Sequence, residues 1–226
     1  SPFEQFKEFI EHPPVVEEIV FEQVYLGGES VKKFPKKPVL FHARRQPGSF
    51  FFREIQDIND VNNPDARTGA TFVGKKGANY WTIFSRTLIK WSWEGDYGSA
   101  SAEELKQIEK QPFGGPALTA GTTLSDALSL GVLGLDVKSM KWTQNGFIAD
   151  SSLGKDSALG TMVFTDNGLP KTLSYGGKDP KIICKVDYTY KENTSIPSYI
   201  PNEFQLAVQD DGKELLRVKY TIHSLK

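Results

Sequence analysis

A mainly β (α+β) fold is predicted: a curved antiparallel sheet, or unclosed half-barrel, with an N-terminal helix and a central helical lid. Three observations predict it. The last third of the chain alternates apolar and polar residues with period two, as in "KIICKVDYTY" and "ELLRVKYTIH". Turn residues punctuate short strand-like runs from residue 17 onward. A stretch of roughly forty residues in the middle breaks that rhythm with helix-like patterning.

The helix comes first. Phe3, Phe6, Phe9 and Ile10 recur at three- and four-residue steps, Ser1 can cap, Pro2 suits the first helical position and Glu4 completes a capping-box pattern. His12-Pro13-Pro14 ends it, because proline lacks a donor and restricts the residue before it. From Glu17 the period becomes two and stops at Gly27-Gly28. "PVLFHAR", "SFFFREIQDI" and "GATFVG" read as strands, then "NYWTIF" and "LIKWSWE" as a pair turning at Ser85-Arg86-Thr87. "SAEELKQIEKQ" reads as a polar helix, and "TTLSDALSLGVLG" (Thr122 to Gly134) as a short apolar one. "LGTMVFT", "KTLSYG", "KIICKVDYTY", "NEFQLAV" and "ELLRVKYTIH" complete a meander with turns at Asp166-Asn167-Gly168, Gly176-Gly177 and Asp210-Asp211-Gly212. In it Ile182, Cys184, Val186 and Tyr188 face inward, opposite Lys185 and Asp187. About ten or eleven such strands are too many to lie flat, so the sheet should curl. One domain over residues 1–226 is expected, with the helical insert at about 99–135.

The totals exclude several classes. The 226 residues are 38% hydrophobic and 24% charged, as in folded globular chains. A net charge of -1 offers nucleic acid no overall attraction. No run approaches the roughly 20 apolar residues of a membrane span. Cys184 is the only cysteine, so no intrachain disulfide forms, which suits either the cytosol or a bacterial periplasm. The opening "SPFEQF" reads as a mature start, with a signal peptide already removed. A basic run, Lys32, Lys33, Lys36 and Lys37, is a solvated loop or a contact for an anionic membrane surface.

Catalytic and metal motifs are weak or absent. His12, His42 and His223 lie far apart without zinc-ligand spacing, so no metal site and no cofactor are expected. "DINDVNNPD" is rich in oxygen ligands but lacks calcium-loop spacing, and reads as a polar loop. Asn193-Thr194-Ser195 matches a glycosylation acceptor, a pattern too short to carry weight alone. Phosphate loops, nucleophile elbows and dinucleotide fingerprints are missing. A non-enzymatic protein is expected.

The aromatics carry the strongest signal. Trp81 and Ile83 share one face of their strand, and Trp91 and Trp93 one face of the next. They serve either a filled sheet core or a cavity for an apolar ligand, with Leu128 and Val132 as its lid wall and Tyr188 on the sheet.

The layout resembles the bacterial outer-membrane lipoprotein carrier superfamily (LolA/LolB-like). "ARRQPGSFFF" is similar to that family's Arg-Pro-x-x-Phe stretch, with Arg45, Pro47 and Phe50 opposite it and Gln46 as an extra residue. "GKKGANYWTI" and "FTDNGLPKTLSYG" look like its aromatic strand and late hairpin. The resemblance implies a periplasmic, monomeric cell-envelope protein that shelters a lipid or a lipoprotein acyl chain. The alternative is a structural or protein-interaction module with a filled core and no ligand.

Overall fold

The structure, a computed structural model, describes residues 1–12, 16–46, 49–66, 71–75, 126–132, 135–151, 157–176 and 181–226. The fold is mainly β. Eleven strands among the described residues form one antiparallel sheet in the order β4-β3-β2-β1-β11-β10-β9-β8-β7-β6-β5. They are β1 Glu18–Gly27, β2 Val39–Gln46, β3 Ser49–Ile55, β4 Thr71–Lys75, β5 Leu135–Thr143, β6 Gly146–Ser151, β7 Ser157–Phe164, β8 Pro170–Gly176, β9 Ile182–Thr189, β10 Glu203–Asp210 and β11 Lys213–Leu225. Strands β4 and β5 are the two edges, so among the described residues the sheet is open.

Chain contacts group the protein into two compact units. Unit 1 holds Ser1–Pro13, Gln23–Pro38 and Leu130–Thr221; unit 2 holds Pro14–Glu22, Val39–Ser129 and Ile222–Lys226.

Unit 1 contains the single long helix among the described residues, α1 (Pro2–Glu11). Ser1 Oγ accepts from Glu4 N at 3.2 Å, so the cap read from the sequence is made. The helix buries Phe6, Phe9 and Ile10. Beneath it, β9 shows the alternation its sequence promised: Val186 and Tyr188 are buried, while Lys185, Asp187 and Thr189 are exposed. In the β10–β11 turn both Asp211 (φ 49°) and Gly212 (φ 78°) take the left-handed conformation that a tight hairpin loop demands. No described helix is long and apolar enough to cross a membrane.

Several expectations change. Strands β5 and β6, joined through Gln144-Asn145, were read as neither strand nor hairpin. "TTLSDALSLGVLG" is shorter than a helix over Thr122 to Gly134: helical residues 126–128 pass into a turn, because Leu130 (φ 53°) and Gly131 (φ 77°) leave helical geometry. β1 is buried on both faces over Ile19, Val20 and Phe21. The polar loop "DINDVNNPD" holds a 3₁₀ turn, Ile58–Asn62, with Asp57 as its cap and Asp60 returning the bond to Asp57 N. The proposed strands "NYWTIF" and "LIKWSWE" and the helix "SAEELKQIEKQ" lie outside the described residues.

Candidate functional site

The apolar face of unit 1 is lined by aromatic rings in edge or stacked contact. Phe204 stacks on Tyr220 with centroids 5.0 Å apart and touches Tyr188 at 6.3 Å. Tyr188 meets Phe6 of α1 at 5.5 Å. A second chain of rings joins Phe164, Phe3, Trp142, Phe147 and Tyr175 through centroid separations of 5.2 to 6.0 Å. Trp142 Nε1 also donates to a Glu11 carboxylate oxygen, which pins the last turn of α1 to β5.

The cover of this face is α1 together with the segment Leu130-Gly131-Val132. Leu130 and Val132 are buried, and the Tyr188 hydroxyl donates to the Leu130 carbonyl at 2.8 Å. Gly131 lies so close to the sheet that a side chain there would come within 3.1 Å of Phe204 and Val186. Burial holds the Tyr188 hydroxyl well above the usual phenol range, so it stays a neutral donor.

The predicted site residues divide accordingly. Tyr188 and Val132 belong to unit 1, and both are buried in it. Leu128 is buried in unit 2. Trp81, Ile83, Trp91, Trp93 and Pro47 lie outside the described residues. Arg45 on β2 and Phe50 on β3 are partners in the backbone register. Lys32, Lys33, Lys36 and Lys37 are exposed on the segment between β1 and β2.

Sequence reasoning missed a polar cluster in unit 2. Arg53 is 3% exposed on β3. Its guanidinium donates to the carbonyls of Asn63 (2.5 Å), Ala66 (2.8 Å), Asp60 (3.0 Å) and Val61 (3.3 Å). It also donates to His42 Nδ1, from Nε at 3.2 Å and Nη2 at 3.0 Å. A guanidinium has no acceptor, so His42 is the tautomer with its proton on Nε2, aimed at Glu18 Oε2 at 3.1 Å. Glu18 is bridged in turn by Lys226 at 3.2 Å and Arg44 at 3.8 Å.

Burial, reinforced by Arg53 and Arg44 and opposed by Glu18, holds His42 below the ordinary imidazole value. Burial pushes Glu18 up, but its hydrogen bonds with His42 and Lys226 outweigh that and leave it below the usual carboxylate range. With Nδ1 already accepting, His42 is ill placed to take a proton as a general base.

Among the described residues one group has metal-ligating chemistry: Glu8, Glu11 and His12, whose ligand atoms lie within 4.8 Å of one another at the end of α1. Glu11 is already engaged by Trp142. The Cys184 thiol is raised by burial, which disfavours the reactive thiolate. Asn193 uses its side-chain oxygen to accept from Ser195 N at 2.8 Å, an ordinary turn contact.

No protein family and no curated protein matches the sequence. Among solved structures the chain is similar to a LolA superfamily protein from Nitrosomonas europaea, with TM-score 0.42 and 7% identity over 100% of this chain and 91% of that one. It is also similar to an outer membrane lipoprotein-sorting protein domain from Vibrio parahaemolyticus, with TM-score 0.40 and 7% identity over 99% and 89%.

Proposed function

We propose that the chain is a non-catalytic carrier, working outside the bacterial cytoplasm, that shelters an acyl chain or comparable apolar group against the aromatic face of unit 1. One observation carries the reading. Among the described residues, the face lined by Tyr188, Phe204 and Tyr220 is covered by a ten-residue helix and a short turn. Those covers bury Phe6, Phe9, Ile10, Leu130 and Val132, the kind of surface a hydrocarbon chain can replace. Each sheltered methylene contributes about 0.8 kcal/mol, so a chain of medium length compensates for displacing two or three of those side chains. The tautomer of His42 and the raised thiol of Cys184 favour a non-catalytic reading.

A second reading, a structural or interaction module with a filled core, is favoured by the completeness of the cover. Phe6, Leu130, Phe204 and Tyr220 are all 0% exposed. Native mass spectrometry before and after mild organic extraction separates the two. A lipid-sized mass that disappears on extraction and returns with added fatty acid or phospholipid supports the carrier. A bare polypeptide that ignores both lipids supports the filled core.

A further inference from the structure

Between β1 and β2 the chain "GGESVKKFPKKP" makes a short 3₁₀ turn, Glu29–Val31, and then an exposed run through Pro38. Val31, 7% exposed, anchors it. Phe34 N donates to the Val31 carbonyl at 3.0 Å, which holds the tip in a turn. At that tip Phe34 is 50% exposed, with only its inner side resting on Tyr25 at a centroid distance of 5.0 Å. Leu26 on the adjoining strand end is 38% exposed.

The charges around it are uneven. Glu29 is engaged by Lys32 at 2.5 Å and Lys213 at 3.8 Å, and Glu214 by Arg217. Among the described residues Lys33, Lys36 and Lys37 have no carboxylate partner. A cleft of about 400 Å³, lined by Gly27, Glu29, Lys32, Lys36 and Lys213 among others, opens beside them. An exposed phenyl ring between two lysine pairs is the arrangement an interfacial anchor uses: the ring enters the acyl boundary while the ammonium groups meet phosphates.

We infer that this segment docks on an anionic lipid bilayer, with Phe34 inserted, Lys33, Lys36 and Lys37 against lipid phosphates, and the neighbouring cleft open to a headgroup. The inference deepens the carrier reading by naming the surface at which cargo would be taken up or given up. Its observations and its test need no cargo.

The experiment is co-sedimentation of the extracted protein with vesicles of phosphatidylcholine alone, or with about one third phosphatidylglycerol, at low and high salt. Binding is expected only to the anionic vesicles and lost at high salt. A lysine at such a surface contributes roughly fivefold to partitioning, so K33Q/K36Q/K37Q should bind about a hundredfold more weakly. Phe34→Ser should lower binding several-fold while leaving its salt dependence in place, and brominated acyl chains should quench the added tryptophan of Phe34→Trp. Because all four side chains are exposed, these variants keep the fold, which circular dichroism checks.

Equal binding to both vesicle types, absence of binding, or an unchanged triple variant overturns the inference. Competition by millimolar inorganic phosphate that leaves neutral and anionic vesicles alike would assign the lysines to a free anion. Loss of a dimer in the triple variant, without vesicle binding by the parent, would assign the segment to a second copy of the chain. Vesicle binding by a protein that carries no lipid mass would sink the carrier reading alone.

Discussion

Replacing Arg53 with methionine should be among the most costly single changes in unit 2. The guanidinium is 3% exposed and satisfies four loop carbonyls and His42 Nδ1 at once. Hydrogen bonds from a charged donor contribute roughly 1.5–3 kcal/mol each, but burying the cation offsets much of that. The carbonyls of residues 60–66 border an exposed loop, so water can take over some of them. His42, 0% exposed, has no such recourse, and its Nδ1 would be left without a donor at a cost of about 1–3 kcal/mol. The expected loss is therefore about 3–5 kcal/mol, the usual range for breaking a buried charged network. With a urea slope of about 3 kcal/mol/M for a chain of this size, the unfolding midpoint should fall by roughly 1–1.7 M. Limited proteolysis should open a new cut within residues 57–66, because the loop loses its organising cation. Arg53→Lys should recover only part of the loss, since one ammonium cannot reproduce the planar fork. Arg44→Met is the control: its side chain is 55% exposed and its ion pair is 3.8 Å long, so the change should be below about 0.5 kcal/mol. A midpoint shift for Arg53→Met no larger than that of the control would refute the reasoning.

Acid should destabilise unit 2 in two steps. His42 is held below its ordinary value of 6.5, so the unfolded chain binds its proton first and stability falls as pH drops through 6.5. Glu18 is held below 4.5, so its contribution is intact above that value and is lost as pH falls through the lower folded one. Urea midpoints measured against pH should show both declines, and His42→Gln should remove the upper one and shrink the lower, because Glu18 loses the imidazole beside it while keeping Lys226. Gly160→Ala should cost about 2–4 kcal/mol by urea titration, because the new methyl would sit 2.1 Å from the fully buried ring of Phe147. Combining it with Phe147→Leu should recover part of that loss in a double-mutant cycle. Tyr188→Phe leaves the Leu130 carbonyl without its donor and should cost about 1–2 kcal/mol, with faster hydrogen exchange at residues 130–132.

Local patterning carries local structure, and the parts of this protein that follow from local patterning were legible. The Ser1 cap, the Asp211-Gly212 turn and the strict alternation of β9 each depend on a few neighbouring residues. β5 was harder because the apolar positions of "LDVKSMKWT" switch phase between Val137 and Met140, where its register with β6 shifts. The signal that could have found it was the turn dipeptide Asn145-Gly146, whose glycine pairs with Thr143. Arg53 could not be found this way at all. An arginine in a strand reads as outward-facing, and only the return of a loop seven to thirteen residues later supplies the carbonyls that make its burial tolerable.

The same logic separates the four tryptophans. Three cluster in sequence and drew the first functional reading, while Trp142 stands alone yet ties α1 to β5 through Glu11 and Phe3. Its importance comes from a partner 131 positions away, a distance across which no spacing rule operates. Phe34 makes the converse point. Its sequence context, aromatic between lysine pairs, is compatible with either a buried ring or an anchor, and its half-exposed position at a turn tip is what favours the anchor. In this chain the features that escape a reading of local pattern are those where pattern and tertiary placement disagree: a cation that is buried, and an aromatic ring that is not.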